Sequence, residues 1–351
     1  RGITQKLIGV ANVLLGRVRG ALGSVTVLAS ALFGAISGSA VATVAAIGGM
    51  TIPAMKDEGY DPDYSAALSS AASLLGPMIP PSITLIVYAG LTEASVQKLF
   101  LATLTPAILC TVAFLAYTLW YGKKKNLPKQ PKKTAKEAGK IMLDAIWALL
   151  LPVIVLGLIF SGATTVTEAA AVSCLYSAVV SLFIYKTITF KDLLKILGDS
   201  AVSIAAIMIL VGMSKATAYV VISSQMPQLF MDFITSITDS RFVVLLIINV
   251  IFLILGCLME GNCIIVMMVP LLLTLVKSFG IDLLQFGVMS AINIYIGCIT
   301  PPVGVSLLLG CKLGKTSVGG TFKAILPFFA ISMVILILVT YWPSFTLWLI
   351  H

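Results

Sequence analysis

The sequence predicts an all-α polytopic membrane protein in which two inverted repeats each hold a re-entrant helical hairpin and a discontinuous transmembrane helix. Three observations carry that prediction. The 351-residue chain is 59% hydrophobic and only 11% charged, with a mean hydropathy of +1.07, whereas soluble domains carry about 25% charged residues. Second, Gly76-Pro77-Met78-Ile79-Pro80-Pro81-Ser82 and Gly297-Cys298-Ile299-Thr300-Pro301-Pro302-Val303-Gly304 each set a proline pair inside an apolar stretch of membrane-spanning length. Proline lacks the backbone donor and clashes with the preceding turn, so each copy breaks its helix. Backbone opened at that depth is tolerated only where protein buries it or it lines a polar cavity. Third, the matches recur in order. Pro80 and Pro301 stand 221 residues apart, and the same offset carries Gly59-Tyr60-Asp61 onto Gly280-Ile281-Asp282. Ile52-Pro53 matches Val269-Pro270 at an offset of 217. Two interrupted helices at corresponding places in two halves point to a transport site.

In chain order, residues 1–20 form a basic amphipathic stretch suited to a membrane surface. The first repeat occupies 21–91. Ala21 to Met55 is apolar but interrupted by Ser37-Gly38-Ser39, and its first arm is short for a full span, which suits a hairpin. Its Gly, Ala, Ser and Thr permit close backbone approach. A polar loop then leads into the broken helix ending at Leu91. Residues 92–240 are assigned to scaffold helices and a cytoplasmic lysine-rich loop. They comprise a span from Ser95 to Gly122, the loop Lys123 to Lys140, and spans over Ile141 to Phe160 and Val166 to Tyr185. An amphipathic stretch from Thr187 to Ser200, a span from Ala201 to Ser223 and a polar connector from Pro227 to Ser240 follow. The second repeat occupies 241–313, with Glu260-Gly261-Asn262 at the centre of its hairpin. Residues 314–351 supply a last scaffold helix over Ala324 to Tyr341.

The basic residues orient this architecture. With the lysine-rich loop placed in the cytoplasm and each hairpin returning to its own side, 19 of the 23 Lys and Arg are cytoplasmic. Lys98, Arg241 and Lys277 lie outside, and Lys215 falls within an apolar span, from which it is expected to snorkel. That bias is what the positive-inside rule demands, and it makes the repeats inverted. It also accounts for the net charge of +9 without nucleic acid, because the charges flank the membrane.

Each break leaves a first half-helix ending in unpaired carbonyls, suited to a small hard cation. A second half begins with free amides, suited to a carboxylate. Ser37, Ser39 and Ser82, with Asn262 and Thr300, add neutral oxygens and donors, which favour a monovalent ion such as sodium over calcium. Glu260 is an acid set deep in an apolar run, where such groups are costly and functional; alternatively it caps the hairpin tip. Glu168 in Thr164-Thr165-Val166-Thr167-Glu168 is expected to cap a helix start. The six cysteines lack metal-ligand spacing and the one histidine is terminal, so they read as buried hydrophobes rather than a metal or catalytic site. No His-based or paired-carboxylate constellation appears within the spans, so the chain is read as not an enzyme.

Ser37-Gly38-Ser39-Ala40-Val41-Ala42, Gly59-Tyr60-Asp61 and Gly76 to Ser82 closely resemble the large membrane (M) subunit of tripartite ATP-independent periplasmic (TRAP) transporters. Thr165-Val166-Thr167-Glu168-Ala169-Ala170 and Thr300-Pro301-Pro302-Val303-Gly304 extend the resemblance over essentially the whole chain in family order. One departure is hairpin two, where the family commonly has an aspartate at Glu260-Gly261-Asn262. The resemblance implies that N-terminal spans of the M subunit precede Arg1. It implies an ion transporter of elevator type in the bacterial inner membrane, driven by two or more sodium ions. Its partners would be a small membrane (Q) subunit, separate or fused, and a soluble periplasmic substrate-binding (P) protein. The implied cargo is an organic acid, either sialic acid (N-acetylneuraminate) or a C4-dicarboxylate, and the lack of an arginine pair favours the sugar acid. A stand-alone ion-coupled symporter or antiporter is the alternative. The substrate candidates are Ser39, Thr43, Ser82, Asn262 and Thr300. The sodium candidates are Ser37, Gly38, Ser39, Gly76, Pro80, Gly256, Glu260, Thr300, Pro301 and Gly304.

Overall fold

A computed structural model describes residues 2–129 and 134–350, apart from the side chains of Leu210, Ser214, Lys215, Ala218 and Ile222. The expectation for the Lys215 side chain therefore lies outside the described residues, as do Arg1, Lys132 and Lys133 of the charge assignment. Everything described is helix, turn or irregular connection. Helix α1 (Gly2–Leu15) leads into the first hairpin, whose arms are α2 (Ala21–Ser37) and α3 (Ala40–Thr43). The second arm continues through a π-helical turn at Val44–Gly48 into α4 (Gly49–Asp57). The first broken helix comprises α5 (Pro62–Ala72), the short α6 (Leu75–Met78) and, beyond the proline pair, α7 (Ile83–Thr92).

The flanking helices are α8 (Val96–Lys124), α9 (Ala135–Phe160), α10 (Val166–Val179), α11 (Phe190–Ser223) and α12 (Met226–Ile237). The second hairpin pairs α13 (Arg241–Leu258) with α14 (Gly261–Ser278). Its broken helix is α15 (Leu283–Gly297) followed by α16 (Val305–Gly314). The chain closes with α17 (Val318–Tyr341) and α18 (Pro343–Leu347). Among the described residues, seven helices are long and apolar enough to cross a membrane. An eighth is the pair Pro62–Met78 and Ile83–Thr92, bent by 41° at the break.

The repeated Gly-x-Asp marks the same local structure twice. Gly59 (φ 83°) and Gly280 (φ 61°) adopt the left-handed conformation that ends a helix. The amides around each donate back into the last turn: Gly59 to Lys56 and Tyr60 to Met55, then Gly280 to Lys277 and Ile281 to Val276, all at 3.0–3.1 Å. Two residues later the aspartate opens the next helix. Asp61 Oδ1 accepts from the Tyr64 amide at 3.0 Å, and Asp282 Oδ1 from those of Leu284 and Gln285 at 2.8 and 3.0 Å.

The two broken helices run side by side in opposite directions. Lys56 Nζ donates to the Gly314 carbonyl at 3.0 Å, and the Thr321 hydroxyl to Asp63 at 3.3 Å. At the other end the Tyr88 phenol donates to the Leu283 carbonyl at 2.6 Å. Every residue of α5 from Tyr64 to Ala72, and of α15 from Gln285 to Gly297, is buried. The first halves of the broken helices are thus the centre of the molecule. Each arm of the second hairpin has 18 residues and by length alone could cross. Its tip nevertheless stops where α15 ends, and α16 continues roughly 15 Å beyond it at 1.5 Å per residue. This is a re-entrant geometry.

Two boundaries differ from the sequence reading. The amphipathic stretch and the span expected to divide at Ser200 are one 34-residue helix, α11. No residue between Phe190 and Ser223 leaves the helical conformation. The expected polar connector from Pro227 to Ser240 is largely the helix α12, which carries proline in its first turn, where no amide is needed. Its Phe230, Met231 and Ile234 fall at helical spacing and pack on the core. Helices α8 and α17, grouped with the scaffold by sequence, pack on α15 and on the first repeat. The capping expectation for Glu168 holds: with Thr165 it forms a reciprocal capping box at the start of α10.

Candidate functional site

The site is built from two hairpin tips, two breaks and the space between them. At tip one, Ser37 ends α2 and Gly38 turns the chain at φ 60°, its amide donating to the Gly34 carbonyl at 3.0 Å. A β-carbon on Gly38 would lie 2.4 Å from the Pro81 carbonyl oxygen, so only glycine lets this tip rest on break one. Ser39 caps α3, its Oγ accepting from the Ala42 amide at 3.3 Å. The buried Thr43 hydroxyl donates to the Ser39 carbonyl at 2.8 Å and lies 3.5 Å from Ser37 Oγ. Gly76 closes this cluster from below, because a β-carbon there would lie 2.5 Å from Thr43 Oγ1 and 2.9 Å from the Ser39 carbonyl.

Tip two repeats the arrangement with main-chain bonds. The Cys257 carbonyl accepts from the amides of Val303 at 3.1 Å and Gly304 at 3.2 Å. Gly256 faces Gly297, where a β-carbon on Gly256 would lie 3.1 Å from the Gly297 Cα. The Thr300 hydroxyl donates to the Ile296 carbonyl at 2.8 Å, while Pro301 and Pro302 complete the break through a cis bond, as Pro80 and Pro81 do. Glu260 caps α14: Oε2 accepts from the Asn262 amide at 2.9 Å and Oε1 from Asn262 Nδ2 at 3.0 Å. It stands exposed at the tip rather than sunk in apolar surroundings.

The second half-helices begin differently. The amides of Ser306 and Leu307 at the start of α16 donate back across the break to the Cys298 carbonyl, at 3.0 and 3.3 Å. No such bond reaches the amides of Ile83, Thr84 or Leu85 at the start of α7 among the described residues. Ser82 holds the cap position there, but its hydroxyl pairs with the Tyr295 phenol at 3.0 Å.

A cavity open to solvent lies between the tips, lined by Gly38, Ser39, Ile83, Thr84, Glu260, Asn262, Tyr295, Cys298 and Val305 among others. Of the sequence candidates, Gly38, Ser39, Glu260 and Asn262 meet on this cavity. Ser82 sits behind it through Tyr295. Ser37, Thr43 and Gly76 gather beneath tip one, Pro80 lies in break one, and Gly256, Thr300, Pro301 and Gly304 gather at tip two. Two hydrogen-bonding side chains of the lining escaped the sequence reading. Thr84 donates to Asn262 Oδ1 at 3.3 Å and so joins the repeats; Tyr295 joins them again through Ser82. Thr84 carried a signal, a hydroxyl three residues after a proline pair; Tyr295 carried none in its local spacing. Among the described residues, no group of three or more His, Cys, Asp or Glu could hold a metal ion. Neutral serine, threonine, asparagine and main-chain oxygens predominate at the site, and Glu260 is the one carboxylate on the cavity lining.

Residues 1–345 match the family described as "Tripartite ATP-independent periplasmic transporter, DctM component". Over 346 residues the chain is 35% identical to the sialic acid TRAP transporter large permease protein SiaM of Vibrio cholerae, covering 99% of this chain and 81% of that protein. It is 38% identical to the C4-dicarboxylate TRAP transporter large permease protein DctM of Pseudomonas aeruginosa, with the same coverage. It is 35% identical to the isethionate TRAP transporter permease protein DctMQ of Oleidesulfovibrio alaskensis, of which it covers 54%. The crystal structure of the Alcanivorax borkumensis YdaH transporter, described as having an unusual topology, shares the fold at 14% identity. Its TM-score is 0.63, over 98% of this chain and 85% of that one.

Proposed function

Since the chain belongs to the DctM-component family of tripartite ATP-independent periplasmic transporters, we propose that it carries an organic acid across the bacterial inner membrane as the large permease of such a system. Uptake is driven by a sodium gradient. The substrate arrives on a soluble periplasmic binding protein, and a small membrane subunit, separate or fused, completes the complex. The two hairpins and broken helices move as one body against the outer helices, in an elevator motion.

The observation that supports this reading most is the open start of α7 at the cavity. Three free amides at the positive end of a helix suit one anionic group. The cavity lining holds no lysine or arginine to receive a second. The single carboxylate of a sugar acid such as N-acetylneuraminate therefore fits better than a C4-dicarboxylate. The neutral oxygens of Ser37, Ser39 and Thr43 beneath tip one suit sodium rather than a divalent ion, and the Thr300 region offers the matching place at tip two.

The test is uptake of labelled N-acetylneuraminate and of succinate into proteoliposomes containing the permease and its small subunit, with and without the binding protein. Sodium-dependent uptake that needs the binding protein and no ATP is expected. Full uptake in sodium-free buffer under a proton gradient would overturn the sodium assignment, and full uptake without a binding protein would favour a stand-alone symporter.

A further inference from the structure

Serine at a helix cap ordinarily turns its hydroxyl onto a first-turn amide. In this chain Ser39, Ser95 and Ser317 do so, accepting from the amides of Ala42, Lys98 and Gly320. Ser82 has the extended backbone of a cap residue (φ −124°, ψ 120°) yet, like the exposed Ser240 before α13, makes no such bond. Its hydroxyl is wholly buried and lies 3.0 Å from the phenol of Tyr295. Tyr295 is itself 5% exposed and belongs to the other repeat. On α16 the corresponding amides are occupied by the Cys298 carbonyl. At α7 the capping hydroxyl bonds Tyr295 instead, and the first-turn amides have no partner among the described residues.

We propose that Tyr295 is a positioning residue for substrate binding: by holding the Ser82 hydroxyl it prevents Ser82 from capping its own helix and keeps the α7 amides free for the anion. The inference rests on the proposal that the anion lands at α7, but its central claim concerns hydrogen bonding in the empty protein. Removing the phenol oxygen leaves the buried Ser82 hydroxyl without its partner, and from the cap position it can then accept from the first-turn amide of Thr84 or Leu85. Ser82 then occupies what the substrate needs. The same bond is lost in Ser82→Ala, but there no competing acceptor remains.

The two substitutions therefore have different consequences, which a purely structural bond would not give. In detergent-purified protein, hydrogen–deuterium exchange of a peptide spanning residues 83–85 should slow at least severalfold in Tyr295→Phe. It should stay near wild type in both Ser82→Ala and Tyr295→Phe/Ser82→Ala. In sodium-driven N-acetylneuraminate uptake, Tyr295→Phe should raise KM about fivefold, the scale of one capping bond. The double variant should recover most of that loss. Equal exchange in Tyr295→Phe and Ser82→Ala, or a double variant as slow as Tyr295→Phe, would overturn the proposal. The exchange measurement decides it even if N-acetylneuraminate is not carried. A wild-type uptake failure would count against the proposed substrate alone.

Discussion

Gly256 and Gly297 meet backbone against backbone, so closely that a β-carbon on Gly297 would lie 2.5 Å from the Gly256 Cα. The neighbouring atoms are main chain and cannot rotate away. Hairpin and broken helix are held at contact distance by the absence of side chains.

The first prediction follows from that contact. Gly297→Ala should displace tip two, lower stability by about 1–3 kcal/mol as overpacking does, and abolish uptake. Gly157→Ala, whose β-carbon would meet nothing within 4 Å, should be neutral or stabilising by up to ~1 kcal/mol. Thermal unfolding in detergent and uptake in proteoliposomes check both; normal uptake by Gly297→Ala would mean that tip two is free of the break.

Topology comes next. Lys129 and Asp239 are both exposed at chain connections, and the charge bias puts them on opposite sides. A cysteine replacing Lys129 should react with an impermeant reagent only from the cytoplasm, and one replacing Asp239 only from the periplasm. Reaction of both from a single side would rule out the inverted arrangement across the membrane.

Bulk at the tips should matter more than lost polarity. Ser39 Oγ makes one capping bond at 3.3 Å, so Ser39→Ala should weaken uptake no more than severalfold, on the scale of about 1 kcal/mol. Ser39→Leu and Thr300→Leu should abolish it by filling space, while the protein still inserts and docks its binding protein. Near-normal uptake by both leucine variants would place the site elsewhere.

A bond between the repeats outside the cavity should behave as structure only. The buried Tyr88 phenol donates to the Leu283 carbonyl. Tyr88→Phe should cost about 1 kcal/mol of stability and leave the sodium dependence of uptake unchanged. An altered sodium dependence would show that this end of the broken helices is part of the coupling.

Much of this was legible from residue types alone. Proline pairs mark breaks because no other residue so reliably ends a helix in apolar surroundings, and Gly-x-Asp marks a helix end followed by a helix start because each residue has its own conformational reason. The connector after Pro227 was misread because proline and aspartate suggest a loop, although a first-turn proline is compatible with α12. The inequality of the two breaks was not legible. The Cys298 carbonyl that closes the start of α16 belongs to the main chain, which every residue type supplies. Tyr295 was hidden for a related reason: its partner Ser82 is 213 positions away, and no local spacing announces such a pair.

The closeness of tip one to its break carries a consequence for how variation is tolerated. Gly38 approaches the Pro81 carbonyl and Gly76 the Ser39 carbonyl, so much of the tip's surface consists of atoms common to all amino acids. Truncating a side chain there deletes little, whereas adding one methyl group obstructs. A saturating map of substitutions should therefore record size rather than polarity along residues 37–39 and 76–82, and a scan that only shortens side chains would pass over the region as unimportant.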